Sequence, residues 1–355
     1  MRTLSRQELN RALLARQLLL ERSRLPLPRA LERVAGIQAQ YAPSMYVGLW
    51  SRLEGFERAA LTRALERRTV VQGTLMRNTI HLVSRADYRP LALATREARR
   101  ASWLRGHRGS LTEGQMEAAA RTLRAALDDG APIRAGAVAE MLGREIAMGV
   151  GGWIDLVRVP PSGTWERRRA DLLAAAADWI GEPVAVEPRA PRVDRRAEAD
   201  AAAEHLVRRY LRGFGPASRR DVASFTGLPP AALAPVLERI ELRRFHSEEG
   251  EELIDLPRAP LPPAETPAPP RFLPTWDATL LVHARRTGLL PEEHRPKLFS
   301  VRNPQSSPSF LVDGRVAGLW RHANGRIELD PFARLDRATQ RALREEADRL
   351  AAFHL

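Results

Sequence analysis

The chain has 355 residues, with 56 basic and 43 acidic side chains and a formal net charge of +13. It contains no cysteine, which excludes disulfides, iron–sulfur clusters and cysteine-ligated zinc. The first residues form no signal-peptide core and no apolar run is long enough to span a bilayer, so a cytoplasmic protein with no membrane partner is expected.

The excess charge is unevenly placed. Residues 1–110 hold 21 Arg and 8 acidic residues, a balance of +13, which leaves residues 111–355 neutral as a set. Lys297 is the only lysine, and a coding bias accounts for that preference for Arg but not for the asymmetry. Concentrated positive charge suits steering toward a polyanion; arginines decorating solvated helix faces are the alternative.

In chain order, helical spacing of apolar residues predicts helices over 6–20, 28–37 and 56–67. The second leads into Gln38 and Gln40. Positions two apart in a helix face nearly opposite ways, so two amides serving one site require an extended or turned backbone near residues 36–40. Gly36 weakens the helix there and Pro43 bars its continuation. The alternative is a polar helix end whose amides cap its own carbonyls. Residues 70–83 then read as a hairpin-like pair around Gly73 to Asn78.

Residues 111–194 repeat the plan: a helix carrying Met116, Ala120, Leu123 and Leu127, another over 137–142, and a hairpin over 156–169 with a Pro-Pro-Ser-Gly turn. That hairpin ends in Arg167, Arg168 and Arg169, read either as a phosphate clamp or as a solvated loop. Residues 195–256 repeat it again. Leu206, Tyr210 and Phe214 mark one helix, Ser218 caps a second, and Leu233, Val236, Leu237 and Ile240 define a third. Its hairpin tip carries Glu248, Glu249, Glu251 and Glu252, which repel phosphates, so this unit reads as architectural. Residues 257–270 include seven prolines and read as a stiff extended linker. Residues 271–355 turn to β structure, with hairpin signals at Asp313-Gly314 and Asn324-Gly325 and a closing amphipathic helix. Phosphate-loop, dinucleotide and zinc-protease patterns are absent, and the eight histidines show no ligand spacing, so neither a metal nor a cofactor is expected.

Five stretches recur together in order: V-A-G-I-Q-A-Q-Y-A-P-S-M-Y-V-G-L-W-S-R (34–52), L-M-R-N-T-I-H-L-V (75–83), L-V-R-V-P-P-S-G-T-W (156–165), F-L-P-T-W-D-A-T-L-L (272–281) and F-L-V-D-G-R-V-A-G-L-W-R (310–321). Over nearly its whole length the chain thereby resembles the bacterial winged-helix DNA glycosylase family typified by AlkZ and YcaQ. Its Gln-apolar-Gln form is similar to the AlkZ-type branch; the YcaQ-type branch has Asp at the second position. The resemblance implies a helix-rich α+β fold of three tandem winged-helix units (1–110, 111–194, 195–256) followed by a small, β-rich, barrel-like domain (271–355). It also implies excision of alkylated bases from double-stranded DNA by a monomer, with Gln38 and Gln40 as the catalytic pair.

Alkylation at purine N3 or N7 makes the base a good leaving group, so acid catalysis becomes unnecessary. The protein then has to orient a water and surround an oxocarbenium-like sugar with fixed dipoles. Amides supply donors and acceptors without titrating. Base-excision enzymes that cut the strand commonly use an amine to form a Schiff base with the sugar, and Lys297 is far in sequence from the pair, so base removal without strand cleavage is expected. Arg77 and His81 are read as DNA-backbone contacts or as one core-facing set of a strand. Trp276 and Asp277 are read as a wall of the site or as a buried Trp beside a capping Asp. The polar run 300–309 is a candidate duplex-probing loop or plain surface. An interstrand crosslink cannot be flipped into a closed pocket; the resemblance implies an open, DNA-embracing channel, and bulky N7 adducts or crosslinks are the expected lesions. The competing readings are a winged-helix transcriptional regulator, against which Arg239 stands as the lone basic residue of its would-be recognition helix, and an inactive DNA-binding relative.

Overall fold

A computed structural model describes residues 1–127, 130–181, 192–282, 288–299 and 306–355, with the side chains of 192–195 left aside. The first segment comprises β1 (Arg2–Leu4), α1 (Arg6–Arg16), α2 (Leu27–Val34), β2 (Ile37–Gln38), α3 (Ala42–Arg52), α4 (Arg58–Glu66), β3 (Val70–Thr74), β4 (Ile80–Ser84) and α5 (Arg85–Gly106). The second comprises α6 (Glu113–Ala125), β5 (Ile133–Arg134), α7 (Ala135–Leu142), α8 (Arg144–Gly149), β6 (Leu156–Arg158), β7 (Leu172–Ala175) and α9 (Ala176–Ile180). The third has α10 (Arg192–Phe214), α11 (Arg219–Thr226), α12 (Pro230–Arg239), β8 (Arg243–Ser247) and β9 (Glu252–Asp255). The last has β10 (Arg271–Leu273), α13 (Ala278–Leu281), α14 (Arg295–Leu298), β11 (Ser309–Val312), β12 (Arg315–Ala323), β13 (Arg326–Pro331) and α15 (Arg337–His354). The fold is mixed α+β and rich in helix.

Local chemistry explains the elements that frame the site. Ser5 and Glu8 form a reciprocal capping box on α1, and Ser218 accepts from Asp221 N–H to start α11. Helix α2 ends where Ala35 (φ 62°) and Gly36 (φ 79°) take left-handed backbone. A Cβ on Gly36 would meet Val83 Cγ1 at 3.0 Å and the Leu82 carbonyl oxygen at 3.1 Å, so only glycine lets the chain leave the helix and lie against β4. Residues 37–38 are therefore strand, not helix, as the break near Gly36 predicts. Pro43 occupies the first turn of α3, where its missing N–H is harmless; it starts a helix that the sequence reading did not assign.

Strand pairing links the segments to one another. Strands run β2-β4-β3-β6-β7-β5 in one six-stranded sheet, and β3 joins β6 through Gln72↔Arg158 and Gly73↔Val157. The hairpins of the first two segments are thus one continuous sheet. Strand β1 pairs in parallel with β8, so the start of the chain completes the third segment's sheet. At the other end β10-β11-β12-β13 run antiparallel, with the Asp313-Gly314 and Asn324-Gly325 turns both at positive φ, as a hairpin turn requires. The outer strands β10 and β13 do not pair among the described residues, so the barrel-like closure expected there is not seen.

The proline-rich stretch is no free spacer. Arg16 and Arg11 of α1 donate to Pro260 O and Thr266 O, and Arg243 of β8 donates to Ala259 O, which tie it to both elements. One apolar core runs from α1 through the sheet to α5 and α10–α12; a second joins α2–α4 to β10–β12 and α15; a third lies in the second segment, with Trp103 and Leu104 of α5 packed against it. Among the described residues no helix is long and apolar enough to cross a membrane, and no cluster of His, Asp and Glu could hold a metal ion.

Candidate active site and nucleic-acid interface

Both glutamines lie on the extended segment between Gly36 and α3. Gln38 is 4% exposed, whereas Gln40 and the following Tyr41 are open to solvent. Backbone pairing fixes the segment: Gln38 stands opposite His81, and Ala39 N–H donates to Ile80 O at 2.7 Å. His81 in turn stands opposite Gly73, so Gln38, His81 and Gly73 form one cross-strand row and share a face. Tyr88 of α5 packs on the bare Gly73, whose Cβ would come within 2.4 Å of the ring.

Arg77 reaches this face from the β3–β4 connection. Arg77 Nη2 donates to Gln38 Oε1 at 3.1 Å, and its guanidinium lies 5.0 Å from the centre of the Phe225 ring on α11. Burial lowers its pKa to about 10, which leaves it charged near neutral pH. His81 is 2% exposed; its Nδ1 lies 3.0 Å from Thr79 O, so the N–H resides there and Nε2 is an acceptor without a partner. Burial first, and then the Arg77 charge, lower the His81 pKa to about 3. Both sit beside Gln38: His81 is buried, as in the inward-facing alternative, and Arg77 keeps partial exposure. Gln40 Oε1 accepts from Ile80 N–H at 3.3 Å, a longer bond on an exposed side chain.

The arginine-bearing hairpin approaches the same segment. Ser162 Oγ accepts from Asp171 and Leu172 N–H and donates to Arg169 O, which fixes the loop between β6 and β7. Gln72 Nε2 donates to Gly163 O and ties that loop to β3. Arg168 Nη1 donates to Tyr41 OH at 3.3 Å, so an exposed guanidinium sits next in line to Gln40. Arg167 and Arg169 both approach Asp171, at 3.9 and 3.6 Å, and one carboxylate does not neutralise both. Tyr41 was not singled out from sequence, although its place directly after Gln40 was a usable signal.

Asp277 caps α13 and is paired with α3. Asp277 forms a two-point pair with Arg52 of α3, both at 2.9 Å, and also accepts from Thr279 N–H and Oγ1–H. Burial pushes its pKa up, but Arg52 and the Thr279 hydrogen bonds outweigh that and hold it below the usual carboxylate range. Its oxygens are fully engaged, so this is the capping Asp of α13, locked to α3. Trp276 takes a left-handed φ of 65° and its N–H donates to Ser306 Oγ. Lys297 stacks on Phe332, 4.4 Å from the ring centre, in the C-terminal segment. Positions 300–305 of the polar run lie outside the described residues.

A family model described as DNA glycosylase AlkZ-like matches residues 31–353. Among solved structures, the fold is similar to that of the Streptomyces sahachiroi DNA glycosylase AlkZ, with a TM-score of 0.77 and 19% identity over 99% of this chain and 97% of that one. Comparison with curated protein sequences returned no match. The matched span contains the glutamine segment, the Arg77 connection, the arginine hairpin and the Asp277 cap, and on that span the chain belongs to the AlkZ-like family of DNA glycosylases, hydrolases of N-glycosyl bonds.

Proposed function

We propose that this protein removes alkylated purines, N7 and N3 adducts, from double-stranded DNA by attack of a water positioned by Gln38 and Gln40, and that it leaves the strand intact. The observation that carries this reading is the extended segment that carries one held and one exposed amide two residues apart, with Arg168 docked on the adjacent Tyr41. Gln38 hydrogen-bonds to a cation, so an unactivated glycosidic bond would gain no acid catalysis from it. A substrate whose base already carries positive charge needs none. Lys297, engaged on Phe332, is not offered as a Schiff-base amine.

Bulky N7-alkylguanine and crosslinks are the favoured lesions, because Gln40 and Tyr41 lie on open surface where an unflipped adduct can approach. We read the helix–helix–hairpin order of residues 1–110, 111–194 and 195–256 as three winged-helix units embracing the duplex. The regulator reading loses support from Arg239, which lies 3.9 Å from both Asp200 and Glu204 instead of standing free.

The deciding experiment is release of base from duplex DNA bearing N7-alkylguanine, with Gln38→Ala and Gln40→Ala alongside. Release by the parent, abolished in the variants at unchanged DNA affinity, supports the proposal. DNA binding with no release from small adducts, bulky adducts or crosslinks rejects it in favour of a binding protein. Strand scission accompanying release would reject the intact-strand part alone.

A further inference from the structure

We infer that Arg77 is a positioning residue that divides the work of the two glutamines: it holds the oxygen of Gln38, so that Gln38 serves the reaction as a donor and Gln40 as the acceptor for water. This rests on the proposed site.

A guanidinium carries donors only, so the amide atom facing Arg77 Nη2 at 3.1 Å is Oε1, and the amide is pinned with its Nε2–H2 directed away. The bond is charge-assisted, because Arg77 remains protonated despite its burial. Three features hold the guanidinium in place. Arg77 and Asn78 both take left-handed φ values, 54° and 56°, which is an uncommon conformation for an arginine and turns the chain back beneath Gln38. The Phe225 ring faces the guanidinium. His81, directly across the strand pair from Gln38, is neutral and so does not repel it. Arg77 Nη1 is buried without a partner, so Gln38 is the one side-chain acceptor its guanidinium meets among the described residues. Surrounding structure maintains a largely buried cation without an ion-pair partner and a strained backbone at the point where they meet Gln38.

Gln40 is held differently. Its oxygen takes a neutral 3.3 Å bond from Ile80 N–H while the side chain is exposed, so a water can replace or share that contact. An amide oxygen free to accept can orient a nucleophilic water through its proton. An amide whose oxygen is held by a charged donor keeps one lone pair but is the more committed acceptor, and its Nε2–H2 is the group left free to donate, to the water's oxygen or to the nucleotide.

The test uses single-turnover base release, DNA affinity and the side-chain amide resonances of Gln38 in 15N-labelled protein. Arg77→Met is expected to slow release by about 10- to 100-fold with little change in DNA affinity, since a loosened catalytic group loses geometry rather than binding. Arg77→Lys should recover part of that loss. The double variant Arg77→Met with Gln38→Ala should be no slower than Gln38→Ala alone, because Arg77 acts through Gln38; independent, additive losses would overturn the inference. Gln38→Glu keeps the acceptors and gains an ion pair with Arg77 but lacks the donor. It should fold at least as stably as the parent and yet release base as poorly as Gln38→Ala. Gln40→Glu should retain more activity than Gln38→Glu, and the reverse order overturns the division of roles. Should Arg77→Met fail to fold, Arg77→Lys and the two Glu variants decide the matter. Should the parent release no base, the glycosylase proposal has failed. The amide spectrum then still judges Arg77: Gln38 resonances that move in Arg77→Met support the pinning, and unmoved ones refute it.

Discussion

Burial, reinforced by the Arg77 charge, takes the His81 pKa from its ordinary 6.5 to about 3. The imidazole therefore stays neutral near neutral pH, and it is no proton donor to a leaving base there. The sign of its effect on stability follows from comparing the two states. Below about pH 6.5 the unfolded chain takes up a proton at His81 that the folded chain refuses until about pH 3, so folding stability falls across that window as pH drops. The slope from this one residue approaches 1.4 kcal/mol per pH unit, and above pH 7 it contributes none. Denaturant unfolding of the parent and of His81→Gln at pH 7, 6 and 5 checks this. The variant should lose less stability on acidification, and parallel curves would show that His81 protonates freely. None of this was legible in R-N-T-I-H, because alternation in a strand fits an inward and an outward histidine equally well.

At the level of elements, Asp277 joins α3 to the C-terminal segment through Arg52, with both side chains 3% exposed. Removing one partner strands a buried charge, which costs about 3–5 kcal/mol. Asp277→Ala should therefore unfold at markedly lower denaturant concentration, while whatever fraction stays folded keeps its rate of base release. A folded, parent-stable Asp277→Ala with lost chemistry would restore Asp277 to the active site. The motif T-W-D-A-T was visible in sequence, but its partner was not, since Arg52 lies on a helix whose start at Pro43 was read as a barrier. Elsewhere local chemistry was sufficient: Gly36, Ser218, Asp313-Gly314 and Asn324-Gly325 each impose one backbone geometry and each is found where expected. Helices α3 and α5 went unassigned, α3 because proline is tolerated at a first turn that looks from sequence like a break.

For the molecule as a whole, the positive balance of residues 1–110 lies in the segment that supplies the glutamines, and β3–β6 pairing brings the second hairpin's arginines to it. DNA affinity should accordingly fall steeply with salt. Arg168→Ala should weaken binding to all sequences alike and reduce the slope of log affinity against log salt by about 1, the mark of one lost phosphate contact. An unchanged slope would mean that Arg168 does no more than brace Tyr41. The long-range pairings that build this arrangement were beyond sequence reading. A strand's pattern tells which face is buried but not which distant strand lies beside it.

The parallel pairing of β1 with β8 has a consequence in time. Arg2–Leu4 leave the ribosome some 240 residues before Phe245–Ser247, the residues they pair with. At synthesis rates of roughly 5–20 residues per second, that interval lasts on the order of ten seconds or more. Through it the chain carries an unsatisfied strand, and Arg16 waits equally long for Asp255, the carboxylate that neutralises it in the core. The first segment can form its helices early, but it cannot close until the third arrives. Folding of this protein should be a late, concerted event, and nascent chains halted before residue 243 should remain open to proteolysis around residues 2–16.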